Sequence, residues 1–136
     1  MNPEQRDAFL QEPHTAVLAT VDGEGRPHAV PVWYLWDGTS FVFIAGKNSA
    51  KVRHIAARGR AALCIDERQG RVQHVTAEGP ATLGETATPE WRLALHTRYR
   101  GAEAAEKVVA AGGHEHQRFV TLTPERWYAW PQKIQD

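Results

Sequence analysis

Apolar and polar positions alternate over several short stretches of the chain, and turn residues separate these stretches. Alternation with a period of two is typical of half-buried β-strands, whereas helices repeat their apolar positions every three or four residues. The pattern predicts strands over residues 14–21, 27–36, 40–45, 61–66, 72–83, 119–122 and 127–130. A chain with this many short strands is expected to be mainly β, with a minor helical part.

Asp-Gly pairs mark the turns between the first three predicted strands. Asp22-Gly23 and Asp37-Gly38 both suit tight hairpins, so these strands are predicted to pair as an antiparallel meander. Tight turns leave no room for crossover helices, which disfavours a parallel α/β sheet. The sequence therefore predicts a closed or nearly closed antiparallel barrel.

Cap and stop residues predict helices in three parts of the chain. Asn2, followed by Pro3 at the first helical position, predicts a short helix that ends by Pro13. A second helix is expected from about Ser49 to Ala57, where Gly59 follows as a stop. After the Thr88-Pro89 start signal, helical character is predicted over residues 91–99 and 102–111.

The composition limits the partners that we expect. The 136 residues are 42% apolar and carry sixteen basic and sixteen acidic side chains. Such a neutral chain has no general attraction to nucleic acid, and no apolar run is long enough to span a bilayer. We expect a single domain over residues 1–136. The one cysteine, Cys64, is expected to be a buried, inert thiol, and with the absence of a secretion signal it favours a cytoplasmic location.

Basic side chains are concentrated where the third predicted strand passes into the second helix. Residues 47–60 contain five basic side chains and no acidic one. A helix start has free N–H groups and a positive dipole end, so basic side chains there suit a phosphate. Lys51, in the first turn after Asn48-Ser49, is the strongest candidate. Arg53 lies about 200° further round the helix, so it holds a second oxygen, holds the cofactor's side chain or faces water. A solvated basic helix face is the alternative reading of the whole cluster.

Four segments, in this order and spacing, resemble the split-barrel flavin-binding proteins related to pyridoxamine phosphate oxidase. The segments are AVLATVDG at 16–23, GRPHAVPVWY at 25–34, SAKVRHI at 49–55 and VTAEGPATL at 75–83. The resemblance covers roughly residues 10–130. It implies an FMN-binding type of split barrel, forming a homodimer with two cofactor sites at the subunit interface.

The resemblance also implies a set of cofactor-binding positions. The phosphate would lie against the start of the second helix, and the ring would lie across the second and third strands. Pro31 removes an N–H from the second strand, which fits either a ligand groove or an edge strand. The candidate residues are His28, Val30, Pro31, Val32, Ile44, Ala45, Asn48, Ser49, Lys51, Arg53 and Gln73.

The chain is similar to the short members of that family that use the deazaflavin coenzyme F-420. His28 stands where the pyridoxamine phosphate oxidases carry an arginine for the FMN phosphate, and their arginine-rich C-terminal substrate motif is absent. The resemblance therefore implies an oxidoreductase that transfers a hydride from F-420 to a small conjugated organic substrate. FMN is the alternative cofactor. No catalytic side chain can be assigned, since in such enzymes the cofactor carries the electrons.

Two other functions stay open at this point. One is a non-catalytic flavin or haem carrier or sensor, for which His28, His54 and His74 are possible haem ligands. The other is an anion- or nucleic-acid-binding barrel that uses the basic cluster alone. We expect no metal site, because the only close histidine cluster, His114-Glu115-His116, offers too few ligands at zinc spacing.

Overall fold

The computed structural model describes residues 1–131 and contains an eight-stranded sheet with four helices. The strands are β1 (Ala16–Val21), β2 (Pro27–Val32), β3 (Leu35–Trp36), β4 (Phe41–Gly46), β5 (Arg60–Glu67), β6 (Gln73–Thr86), β7 (Gln117–Leu122) and β8 (Arg126–Trp130). The helices are α1 (Pro3–Gln11), α2 (Ala50–Arg58), α3 (Pro89–Arg100) and α4 (Ala102–Ala110). The fold is thus mixed α and β with an antiparallel sheet, and the predicted barrel architecture is confirmed.

The sheet is continuous but does not close on itself within residues 1–131. The strand order is β2-β1-β5-β6-β7-β4-β3, and β8 pairs with β6. All of these pairs are antiparallel. The 14-residue strand β6 joins the two halves because it pairs with β5 and β8 near its start and with β7 further along. β2 and β3 are the two ends of the order, which leaves a split in the barrel.

The predicted strand over residues 27–36 is wrong in one respect. It consists of β2 and β3, with Trp33 and Tyr34 between them, and β2 pairs with β1 while β3 pairs with β4. The predicted three-stranded meander is therefore two separate hairpins. Tyr34 is fully buried, and its hydroxyl donates a hydrogen bond to the Leu10 carbonyl at 3.0 Å. Less buried and more buried positions continue to alternate through Trp33 and Tyr34, so the hydrophobic pattern gave no sign that the strand is interrupted there.

The helices begin and end where the sequence predicts them. Asn2 caps α1, and its side chain and that of Gln5 satisfy each other's backbone N–H groups in a capping box. Ser49 caps α2, whose other end is closed by Gly59 in a left-handed conformation with φ of 68°. Thr88 caps α3. These local signals need no tertiary contact to operate, which is why they are readable from the sequence.

The core lies between the two halves of the sheet and beneath α1 and α2. Its largest fully buried side chains include Phe9, Phe41, Phe43, Leu63 and Ile65, and the strand members alternate with exposed or half-buried neighbours. Full burial of such a side chain contributes about 1.5–3 kcal/mol each. Cys64 is exposed on the other face of β5, so the prediction of a buried thiol is wrong. No helix in residues 1–131 is long and apolar enough to cross a membrane.

Candidate functional site

A cavity of about 330 Å³ opens at the split of the barrel. It lies where the end of β2, the middle of β4, the first turn of α2 and the inner side of α3 come together. We call it the split pocket. The residues that line it are Thr15, Pro31, Val32, Trp33, Ile44, Lys51, Leu95, His96 and Gln117. Four of the eleven predicted site residues are therefore brought together here: Pro31, Val32, Ile44 and Lys51.

The strand edges on both sides of the split are unpaired within residues 1–131. β2 pairs there with β1 alone, and β3 pairs only with Phe41 and Val42 of β4, so one edge of residues 43–46 is open. Pro31, which lacks an N–H, lies on the β2 edge, as expected for a proline within a sheet. The open edges offer backbone carbonyl and N–H groups to a flat ligand.

Lys51 brings a positive charge to this gap. Its side chain is half-buried in the first turn of α2 and forms no ion pair with any residue in 1–131. The Ser49 hydroxyl accepts a hydrogen bond from the Val52 N–H at 3.4 Å, which is its capping role. The lining residues include no aspartate or glutamate. The pocket is therefore electrostatically suited to an anionic group.

Several predicted residues lie close to the split pocket in the chain but do not line it. Arg53 is exposed, and its guanidinium donates a hydrogen bond to the Asn48 carbonyl at 2.7 Å. Within residues 1–131, the Arg53 side chain therefore lies outside the lining of the split pocket. Ala45 is buried in the core, and Val30 packs against the core from the edge strand. Their side chains therefore serve packing.

His28 lies on the side of β2 that faces α2. Its ring meets the His54 ring edge-on with centroids 5.3 Å apart, and His54 Nδ1 is 2.9 Å from the Thr20 hydroxyl. The His28 Nδ1 atom is buried and has no hydrogen-bond partner within the described part of the chain. The two histidines thus form a contact between α2 and the first hairpin, outside the lining of the split pocket.

Gln73 lies in a different cavity, of about 450 Å³, beneath α1. We call this one the α1 cavity. With its amide turned so that the oxygen faces Arg71, Gln73 accepts hydrogen bonds from Arg71 Nε at 3.0 Å and Nη1 at 3.2 Å. Arg71 also binds the carboxylates of Glu12 and Glu67, and these bonds raise the pKa of the guanidinium. Within one chain, Gln73 and Lys51 therefore face separate cavities.

Side chains with metal-binding chemistry also collect near the α1 cavity. One ligand atom from each of Glu12, His14 and Glu67 lies within 4.8 Å of the other two. Arg71 bridges both carboxylates, so these charges are already compensated. The histidine cluster noted in the sequence, His114–His116, forms a 3₁₀ turn in which Glu115 lies within 3.5 Å of both imidazoles. It is not among the groups of side chains in residues 1–131 that are close enough together to hold a metal ion.

Sequence reasoning missed the aromatic and α3 residues of the pocket wall. Trp33 stacks on Tyr99 with centroids 4.4 Å apart and planes within 2°, and its indole N–H donates to the Thr15 hydroxyl at 3.3 Å. The rings of His96 and Trp33 pack edge to face, with their centroids 5.8 Å apart. The available signal was the spacing of Leu95, His96 and Tyr99 along α3, which places them on neighbouring faces of one helix.

The donor set and shape of the split pocket fit a phosphate-bearing flavin. Pro31, Val32 and Ile44 provide apolar surface beside open strand edges, and Lys51 provides the cation. The Gln117 Oε1 atom is buried without a partner in residues 1–131, so an acceptor is available for a ligand N–H. A volume of about 330 Å³ lies within the range of small-molecule sites, roughly 300–1,000 Å³.

The chain belongs to the pyridoxamine 5'-phosphate oxidase family, whose sequence profile matches residues 2–131. This confirms the family resemblance of the sequence. The pyridoxine/pyridoxamine 5'-phosphate oxidase of Burkholderia mallei is 44% identical over an alignment covering 98% of this chain and 74% of that protein. That of Pseudomonas entomophila is 34% identical, covering 88% of this chain and 66% of that protein. The matched region thus spans about two thirds to three quarters of these relatives.

Solved structures share the fold at low sequence identity. A conserved hypothetical protein, Rv2991 from Mycobacterium tuberculosis, has a TM-score of 0.79 at 20% identity and covers 100% of this chain and 92% of its own. A structure described as an F420 reductase has a TM-score of 0.75 at 21% identity, covering 90% and 94%. The haem storage protein HutZ of Vibrio cholerae reaches 0.68 at 18%, covering 92% of each chain. These likenesses show the fold.

Proposed function

We propose that this protein binds a phosphate-bearing flavin in the split pocket and acts as a flavin-dependent oxidoreductase, with FMN as the cofactor. The observation that carries the proposal is the half-buried Lys51 beside an apolar gap between two open strand edges. Membership of the pyridoxamine 5'-phosphate oxidase family supports it.

Lys51 and the free N–H groups of the first turn of α2 would hold the phosphate. Pro31, Val32 and Ile44 would flank the ring, and Gln117 would accept a hydrogen bond from it. When bound, the flavin supplies the transfer of two electrons. The protein's part is to bind and orient the cofactor and to exclude water from one of its sides.

F-420 is a second cofactor candidate. The structural likeness to an F420 reductase and the presence of His28 where the oxidases carry an arginine both favour it. With F-420 the reaction would deliver a hydride to a small conjugated organic substrate. Both cofactors carry a phosphate that would lie near Lys51, so the residue assignments would be the same for either.

A titration separates these functions. Purified protein is titrated with FMN, riboflavin, F-420 and haem, followed by fluorescence and absorbance. Tighter binding of FMN than of riboflavin supports the proposal, because only FMN carries the phosphate. Preference for F-420 selects the second candidate. Haem binding with no affinity for either flavin or F-420 would contradict an oxidoreductase of this type and favour a haem carrier.

We also propose that two copies associate through the outer face of the sheet. Val17, Cys64, Thr76 and Tyr128 lie in register across β1, β5, β6 and β8. Val17 is 43% exposed and Tyr128 is 53% exposed, and neither is covered within residues 1–131. Pro31 continues this row and also lines the split pocket, so a second copy placed here would shield the pocket.

Light scattering tests the proposed dimer. Val17→Arg should convert a dimer into a monomer, and a monomeric unaltered protein would contradict the proposal.

A further inference from the structure

His96 lines the split pocket, and its hydrogen bond with Arg100 determines which ring nitrogen carries the hydrogen. The Arg100 Nε–H donates a hydrogen bond to His96 Nδ1 at 3.2 Å. A guanidinium can only donate, so Nδ1 must be the unprotonated acceptor, and the ring hydrogen resides on Nε2. In residues 1–131, Nε2 makes no hydrogen bond of its own.

The surroundings keep this imidazole neutral and in place. Burial lowers the pKa of His96, and the nearby positive charges of Arg92 and Arg100 lower it further. The Arg100 guanidinium lies over the Trp33 ring at 5.0 Å, and the Trp33 and His96 rings pack edge to face. Because His96 lines the split pocket, its Nε2–H group is a neutral donor available there, close to the positive charges of Arg92 and Arg100.

We propose that His96 donates a hydrogen bond from Nε2–H to an oxygen of the flavin bound in the split pocket. The inference rests on the proposed flavin site and adds to it a recognition residue from α3. An electron-rich oxygen is the acceptor that a donor among cations would select. Three groups of the cofactor offer oxygen acceptors: the phosphate, the hydroxyls of the ribityl chain and the carbonyls of the ring.

The test combines a spectroscopic measurement with binding by variants. Nitrogen-15 NMR of the ligand-free protein should show the His96 hydrogen on Nε2. His96→Leu should weaken FMN binding about tenfold, the expected loss for one hydrogen bond to a charged or strongly polar group. His96→Gln, which keeps an N–H donor, should recover most of that loss. His116→Leu, at an exposed imidazole outside the pocket, is the matched control.

A parallel titration with riboflavin, which lacks the phosphate, identifies the part of the cofactor that accepts the hydrogen bond. A loss for FMN alone assigns the phosphate, and an equal loss for both ligands assigns the part that they share, the ring carbonyls or the ribityl hydroxyls; either supports the contact. A hydrogen on Nδ1, or an FMN affinity of His96→Leu equal to that of the unaltered protein, would overturn it while leaving the flavin function standing. Failure of the unaltered protein to bind any flavin would overturn both. Melting temperatures of the variants confirm that each is folded.

Discussion

The two cavities of this barrel differ in how their charges are arranged. The α1 cavity is the larger, at about 450 Å³, but its Arg71 is bound by Glu12 and Glu67. The split pocket is smaller, at about 330 Å³, and its Lys51 has no acidic partner among residues 1–131. The charge of Arg71 is already neutralised by two carboxylates, so an anionic ligand would gain little binding free energy from it. The half-buried Lys51 has no such partner and is therefore suited to binding an anion.

The difference extends to the backbone. The α1 cavity is bordered by a helix and by the start of β6, where Gln73 is paired with Glu67 of β5. The split pocket is bordered by strand edges that have no neighbour within the described residues. Unpaired charge and unpaired backbone coincide in the smaller cavity, and for this reason the flavin site is proposed there and not in the larger one.

The largest expected effect comes from substitution of Gly79, because this residue lies in β6, the strand that joins the two halves of the sheet. A Cβ at this position of β6 would lie 2.0 Å from the Thr123 carbonyl oxygen, which belongs to the backbone and cannot move aside cheaply. We expect Gly79→Ala to lower the free energy of unfolding by more than about 3 kcal/mol. Gly23→Ala, with nothing within 4 Å of its Cβ, is the matched control in a denaturant titration. Equal stability of the two variants would contradict this packing.

Lys51→Ala tests whether the flavin binds in the split pocket. We expect FMN affinity to fall about tenfold to a hundredfold, since one charge-assisted contact is lost, while the melting temperature without ligand stays nearly unchanged. Fluorescence titration measures the affinity. Lys107→Ala, at an exposed lysine of α4, is the control and should bind as the unaltered protein does. An unchanged affinity in Lys51→Ala would remove Lys51 from the site.

Arg71→Met should lower stability slightly and leave flavin binding unchanged. Removal of the guanidinium leaves the Glu12 and Glu67 carboxylates close together without their cation, so a small fall in melting temperature is expected. FMN affinity should not change, because Arg71 does not line the split pocket. Loss of flavin binding without loss of stability would instead place the ligand in the α1 cavity or at a dimer interface that includes it.

The smallest effect concerns acid stability of the hairpin that forms one wall of the split pocket. Hydrogen bonds from the Arg26 side chain and backbone lower the pKa of Asp22 to about 2. A carboxyl whose pKa is lower in the folded state stabilises the fold above the unfolded value, and this contribution is lost as pH falls from about 4 towards 2. Asp22→Asn should therefore show a shallower decrease in melting temperature over that interval. Parallel curves for the two proteins would contradict the assignment.

Local signals made the helices and the first hairpin predictable from the sequence. Asn2, Ser49 and Gly59 act within one turn of chain, so their effect does not depend on distant residues. Lys51 could be chosen as the phosphate candidate for the same reason, because its place in the first turn of α2 follows from the cap.

Long-range contacts made the rest unpredictable. The break at Trp33 and Tyr34 depends on Leu10, Tyr99 and the separate pairing of β3, and alternation of burial hides it. His96 reaches the pocket only because α3 packs across the split. Gln73 was grouped with Lys51 by family resemblance, but the fold of one chain places it beneath α1.

A crystal structure of the protein with FMN tests the central claim most directly. We predict that the ring lies between β2 and β4, with the phosphate within hydrogen-bond distance of Lys51 Nζ. Electron density for FMN in the α1 cavity, or anywhere else that leaves Lys51 without contact to the ligand, would contradict it.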